Sequence, residues 1–185
     1  PVEYGGQGRS ELEQFVFFDE AKRAGVPIPM LALNTVGPTL MAYGTEEQKQ
    51  RYLPAILSGE IDFAVGYTEP GSGTDLASLQ TRAVRDGDEY VIDGNKIFTT
   101  GGAVSDYIWL AARTDPSAPK HKGLSIFIVP TDNPGFEVTP LPTIAEDGVR
   151  ATTSTYYSNL RVPVENRVGD ENDGWRLITT HLNHE

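Results

Sequence analysis

Val65-Gly66-Tyr67-Thr68-Glu69-Pro70-Gly71-Ser72-Gly73-Thr74-Asp75 decides the reading of this chain, because an apolar extended run passes here into a tight loop of glycines and hydroxyls. Gly71, Gly73 and Pro70 let the backbone turn sharply and approach a bulky ligand with no Cβ in the way. Thr68, Ser72 and Thr74 add short hydroxyl donors, and Asp75 is placed to cap whatever follows. Such a loop suits a cofactor cradle, and it equally suits a plain surface turn.

A second segment bears on the choice. Asp93-Gly94-Asn95-Lys96-Ile97-Phe98-Thr99-Thr100-Gly101-Gly102 reads as a hairpin turn at Asp93-Gly94, a short strand with an aromatic and two threonines, then a glycine pair.

Together the two segments resemble the acyl-CoA dehydrogenase family, whose middle domain carries a "TEPGxGSD" loop and a later "NGxKxWITNG" strand, both touching FAD. The matching residues here are Thr68 to Asp75 and Asp93 to Gly101. Further matches are Tyr4-Gly5-Gly6-Gln7-Gly8, Gly44-Thr45-Glu46-Glu47-Gln48-Lys49 with Tyr52-Leu53-Pro54, and Arg161-Val162-Pro163-Val164-Glu165-Asn166. The resemblance therefore runs along nearly the whole chain.

It implies FAD as cofactor, bound by Val65, Tyr67, Thr68, Gly73, Thr74, Phe98, Thr99 and Thr100. Thr68 would serve the flavin edge that gains negative charge on reduction, and Thr100 the hydride-accepting side. Phe98 stands where the family usually has tryptophan, which keeps an aromatic surface but loses the indole donor. Thr74 replaces the usual serine, and Tyr67 a smaller aliphatic residue. Glu69 reads as a residue that fixes the loop, and Asp75 as a cap.

The implied reaction is α,β-dehydrogenation of an acyl-CoA thioester, with a glutamate removing the α proton and the β hydrogen leaving as hydride to flavin N5. Most members carry that glutamate late in a C-terminal helical domain; a minority carry it in an "LxxER"-like helix segment. Leu182-Asn183-His184-Glu185 matches the start of the latter, so the base is either Glu185 or a residue outside this chain. Thr74 and Asn183 are the implied substrate contacts. An acyl-CoA or nitroalkane oxidase on the same scaffold, and a shared-site subunit of a hetero-oligomer such as those acting on steroid side chains, remain open. An electron-transfer flavoprotein is the implied acceptor, and a homodimer or homotetramer the implied assembly.

Composition is compatible with this. The chain has 185 residues, 38% of them hydrophobic, which is enough for a real core. A formal net charge of −11 argues against a nucleic-acid surface and against membrane attachment. There is no cysteine, so disulfides, thiolate metal sites and a cysteine nucleophile are excluded. His121, His181 and His184 show no metal spacing. No window is apolar enough to span a bilayer, and no signal peptide is visible, so a soluble, cytoplasmic protein is expected. The chain starts at Pro1 without methionine and stops within a helical pattern, and a fragment is expected.

The expected fold class is α+β: part of an N-terminal helical domain over 1–60, a β domain with the flavin loop over 61–168, and the start of a C-terminal helical bundle over 169–185. Ser10 with Glu13, and Thr45 with Gln48, read as capping boxes of two helices. Leu12, Phe15, Val16, Phe17 and Phe18 recur at helical spacing, with Pro27 and Pro29 ending that helix. A buried helix is expected over 28–43, and Pro54 predicts a kink or break in the helix after it. Period-two runs predict strands at 63–67, 79–85, 89–92, 96–99, 107–112, 123–129, 136–141 and 152–160, arranged as an antiparallel sandwich or barrel. Asp173-Gly174-Trp175 opens the last helix.

Overall fold

Two reciprocal capping boxes start the helical part of the chain. In a computed structural model, which describes residues 1–26, 28–143 and 152–183, the Ser10 hydroxyl accepts from the Glu13 N–H at 3.3 Å. The Glu13 carboxylate in turn accepts from the Ser10 N–H at 2.9 Å and opens α1, Glu11–Arg23. Thr45 and Gln48 do the same for α3, Glu46–Ser58, which ends on Gly59 in the left-handed conformation. Between them lies a π turn, Ala32–Val36, that runs into α2, Gly37–Tyr43, so the expected helix over 28–43 starts later.

Two expectations for these helices change. α3 continues through Pro54 without a break, since Pro54 lies well inside a helix whose caps hold both ends. α1 ends at Arg23, ahead of Pro29, while Pro27 lies outside the described residues. Much of the apolar face of α1 also stays open: Leu12, Phe15 and Phe17 are each more than half exposed, while Ala21 is buried and Phe18 half-buried. The caps, and the Arg9–Glu13 and Arg23–Asp19 pairs, hold this helix rather than burial.

Eight strands follow: β1 Phe63–Gly66, β2 Arg82–Asp86, β3 Glu89–Thr100, β4 Tyr107–Arg113, β5 Leu124–Pro130, β6 Phe136–Pro140, β7 Thr152–Pro163 and β8 Arg167–Val168. They form one sheet in the order β6-β7-β3-β2-β4-β5-β8, with β1 paired to β4. Pairing is mostly antiparallel, as expected, but β1 and β2 both run parallel to β4. The last helix, α4, spans Gly174–Leu182.

Period-two alternation places a core on each face of the sheet. Along β4, Trp109 and Ala111 face the helices, packing with Leu40, Tyr52, Ile56, Leu177 and Ile178. Ile108, Leu110 and Ala112 face the other way, toward Ile92, Phe127, Tyr157 and Leu160. Polar ties fix the helices to the sheet: Gln48 Nε2 donates to the carbonyls of Glu165 and Arg167 at 2.8 and 3.0 Å. The Tyr43 and Thr180 hydroxyls, 3.0 Å apart, join α2 to α4.

Asp93-Gly94 is not a turn. β3 runs through it as one long strand, and the dipeptide makes a bulge where the register with β7 shifts between Ile92 and Gly94. Gly94 has φ 150°, and a Cβ there would lie 2.7 Å from Thr81 Cα. Asp93 accepts from the Asn159 N–H at 2.8 Å instead of closing a hairpin. The bulge lets the end of the 68–81 loop pass against β3.

Candidate functional site

The cradle loop leaves β1 at Gly66 and returns at β2, and β3 crosses beside it. Within it a tight turn closes on itself, since the N–H and carbonyl of Glu69 each bond with those of Ser72 at 3.1 Å. Gly71, Gly73 and Thr74 form its exposed tip; a Cβ on Gly71 would meet nothing within 4 Å, and one on Gly73 only Thr68 Cγ2 at 3.9 Å. The tip is open backbone, as close approach of a ligand requires.

β3 carries a second irregularity next to this loop. Its register with β7 shifts between Lys96 and Thr99, and Phe98 stands there with φ 61° and its ring 63% exposed. A bulky residue in the left-handed region costs about 1–3 kcal/mol, and local backbone strain of this kind collects at functional sites. The Ile97 N–H, freed by the shift, donates to the Thr68 carbonyl at 2.8 Å. Both sequence segments are thereby joined at Thr68.

The expected site residues take distinct places. Thr68 is half-buried, and neither its hydroxyl nor that of Thr74 has a hydrogen-bond partner among the described residues. Thr100 is exposed, its Oγ1 3.5 Å from that of Thr152. Thr99 is fully buried, its Oγ1 3.5 Å from Thr155 Oγ1 and its carbonyl accepting from the Thr153 hydroxyl at 2.7 Å, so its side chain faces the sheet. Val65 pairs with Trp109 in β1 and is half-buried. Tyr67 is a core residue: its hydroxyl accepts from Trp109 Nε1 at 3.1 Å, and its ring stands 5.2 Å from that of His181. Asn183 caps the C-terminus of α4, exposed. Glu185 and His184 lie outside the described residues.

Glu69 fixes the loop, as its place beside Pro70 implies. One carboxylate oxygen accepts from the Gln80 N–H at 2.6 Å, the other from the Thr81 N–H at 2.8 Å. The sequence reading passed over its third partner, Lys96 of β3, whose ammonium donates to Glu69 Oε1 at 2.8 Å and to the Tyr67 carbonyl at 3.0 Å. Lys96 has no exposed surface at all. Burial pushes its ammonium down to about 8 against the attraction of Glu69, with Arg113 adding to the fall. Burial acts to raise the Glu69 carboxyl, but the Lys96 charge and the hydrogen bonds from Lys96, Gln80 and Thr81 outweigh it and hold the group below its ordinary value.

Arg113 was also missed. Its guanidinium donates to the carbonyls of Leu79 at 3.1 Å and Ala77 at 2.6 Å, at the far end of the same loop. Asp75, expected as a cap, makes no side-chain bond to the backbone of the short 3-10 turn Leu76–Ser78; it accepts from the Ser78 hydroxyl and pairs with Lys120 at 2.9 Å. The signal that could have found Lys96 is its position: a lysine on the inward side of a strand requires a carboxylate partner.

Two family models match this sequence: "Acyl-CoA dehydrogenase, middle domain" over residues 64–159 and "Acyl-CoA dehydrogenase, N-terminal domain" over residues 1–60. The chain belongs to the acyl-CoA dehydrogenase family. Acyl-CoA dehydrogenase FadE29 of Mycobacterium tuberculosis is 60% identical over 185 residues, covering 100% of this chain and 47% of that protein. Among solved structures, the "Tcur3481-Tcur3483 steroid ACAD" is 67% identical with a TM-score of 0.95, over 100% of this chain and 47% of that one. The ChsE4-ChsE5 complex from Mycobacterium tuberculosis matches at 56% identity and a TM-score of 0.92, over 100% and 47% of the two chains. The chain thus spans about half the length of the relatives it matches.

The arrangement fits the FAD of this family. Uncommitted hydroxyls, an open glycine backbone and an exposed aromatic ring converge where the loop meets the β3 bulge. Among the described residues no group of three or more histidines and carboxylates is placed to hold a metal ion, and no helix is long and apolar enough to cross a membrane.

Proposed function

We propose that the full-length protein containing this chain is an FAD-dependent acyl-CoA dehydrogenase acting on a bulky, steroid-derived acyl thioester. One observation carries this reading: the 2.8 Å bond from the Ile97 N–H to the Thr68 carbonyl joins the two halves of the cradle into one surface. That surface combines polar edge donors with an aromatic face, which suits a large planar ring system.

Bound FAD supplies the acceptor for the hydride that leaves Cβ of the thioester. Thr68 would offer its hydroxyl to the edge of the ring that gains negative charge on reduction. Phe98 supplies the aromatic surface and Thr100 a second hydroxyl. Gly73 and Thr74, at the exposed tip, serve cofactor and thioester together. An electron-transfer flavoprotein would serve as the acceptor.

The substrate class and a mixed assembly are supported by the solved relatives, since one is named a steroid enzyme of two components and another a two-component complex. Both match this chain over its whole length. The test is an anaerobic titration of the full-length protein, alone and with a candidate partner subunit, with short, branched and steroid-derived acyl-CoA. Bleaching of the oxidised flavin by the steroid-derived thioester is expected; bleaching by the short thioester alone overturns the substrate class. Rapid peroxide formation in air selects an oxidase instead.

Phe98 separates fold from site. Phe98→Gly is expected to leave the melting temperature of the apoprotein unchanged or raised, because glycine adopts φ 61° freely and the lost ring is mostly exposed. FAD affinity is expected to fall in the same variant. Calorimetry and a fluorescence titration check the two halves, and a large drop in apoprotein stability would show that the ring is structural.

A further inference from the structure

We infer that the buried Lys96–Glu69 pair is the positioning device of the flavin cradle, holding Thr68 in register with the β3 bulge. The inference rests on the FAD reading above. Three bonds from β3 bracket Thr68. Lys96 Nζ donates to the carbonyl before it, at Tyr67, and to the carboxylate after it, at Glu69, while the Ile97 N–H donates to the carbonyl of Thr68 itself. No other charged side chain is as fully buried as Lys96 among the described residues.

A pair that served only to fill the core would be replaceable by apolar side chains at little loss. Here the geometry does something an apolar pair cannot. The Glu69 carboxylate also gathers the Gln80 and Thr81 N–H groups, so one charge pair ties together the start of the loop, its end and the adjoining strand. Arg113 holds the carbonyls between these ends and is the other charged group acting on Lys96. Thr68 is then left with its backbone fixed and its hydroxyl uncommitted, which is the state a preorganised donor needs. Lys96 and Glu69 need touch neither cofactor nor substrate; they act through Thr68.

The test uses the full-length protein in its native assembly. In Glu69→Gln/Lys96→Met, a neutral pair of similar volume, FAD is expected to bind at least about tenfold more weakly while the apoprotein keeps its melting temperature within a few degrees. The FAD that does bind is expected to show a more negative reduction potential, because a misaligned Thr68 stabilises the reduced ring less. Unchanged FAD affinity and potential in the folded variant overturn the inference.

Should the variant fail to fold, the wild-type protein answers by amide hydrogen exchange. Binding at the cradle and order at the pair are reciprocal if they are coupled. FAD is therefore expected to slow exchange of the Gln80 and Thr81 amides, which the Glu69 carboxylate holds, at least about tenfold more than that of the Phe127 amide in the opposite core. Equal slowing at all three sites overturns the inference. A wild-type protein that binds no FAD overturns the functional reading itself, which is a different outcome.

Discussion

Glu185→Gln in the full-length protein is expected to slow bleaching of the oxidised flavin by acyl-CoA by ~10²–10⁴-fold, the usual contribution of a general base, while FAD stays bound. The carboxylates of the cradle loop itself are unsuited to this step. Glu69 has both oxygens occupied by N–H donors and an ammonium, and its carboxyl is held below the ordinary range. It is too weak a base for a carbon acid. Asp75, paired first with Lys120 and also bonded to Ser78, is lowered as well. An α proton of a thioester requires the opposite: a carboxylate whose affinity for protons is raised by exclusion of water.

Neither loop carboxylate therefore suits the proposed step, and Glu185, at the end of the Leu182-Asn183-His184-Glu185 segment, is the candidate base. The rate of bleaching in the wild type is expected to rise with pH as the proton-abstracting carboxyl ionises, and the dependence is expected to vanish in the variant. Stopped-flow absorbance under anaerobic conditions measures both. Normal bleaching by Glu185→Gln would place the base elsewhere in the protein.

The sequence shows parts of this site well and others poorly, for physical reasons that differ residue by residue. Local signals read correctly. Ser10 and Glu13, or Thr45 and Gln48, satisfy each other within one helical turn, so a capping box is visible in four letters. Tyr107–Arg113 reads as a strand through a short apolar run, unbroken because both faces of the sheet need apolar cover.

Asp93-Gly94 misleads because one dipeptide satisfies two geometries. Its glycine is needed for close passage of Thr81, a residue thirteen positions earlier whose proximity no local pattern reveals. The Lys96–Glu69 pair is hidden for the same reason, since it joins residues on two elements. In α1 the apolar spacing was legible, but burial was not, since it depends on what packs against the helix. Of the cradle, the hydroxyls and glycines could be named from the resemblance. The strained Phe98 and the bond from Ile97 to Thr68, which make them one surface, required the fold.

Lys96→Met alone is expected to destabilise the protein by about 3–5 kcal/mol at neutral pH, because it leaves the Glu69 carboxylate buried without its counter-charge. Glu69→Gln/Lys96→Met is expected to cost much less, so the two substitutions together should be milder than the first by itself. The pH dependence separates this account from a simple loss of packing. In the wild type the folded-state pKa of Glu69 lies below its ordinary value, so the pair's contribution is present above that ordinary value and is lost as pH falls through the folded one. In Lys96→Met the unpaired, buried carboxyl is raised instead, and the variant loses stability as pH climbs from the ordinary carboxylate range toward neutrality. The gap between the two proteins is therefore small near pH 4 and opens as pH rises toward neutrality. On the alkaline side the wild type has a lysine with a folded-state pKa of about 8, below its unfolded value, so its stability rises from that point until the unfolded lysine also loses its proton. Denaturant melts of the wild type and both variants across that range decide the matter, and a gap that stays constant with pH would mean that Lys96 contributes volume rather than charge.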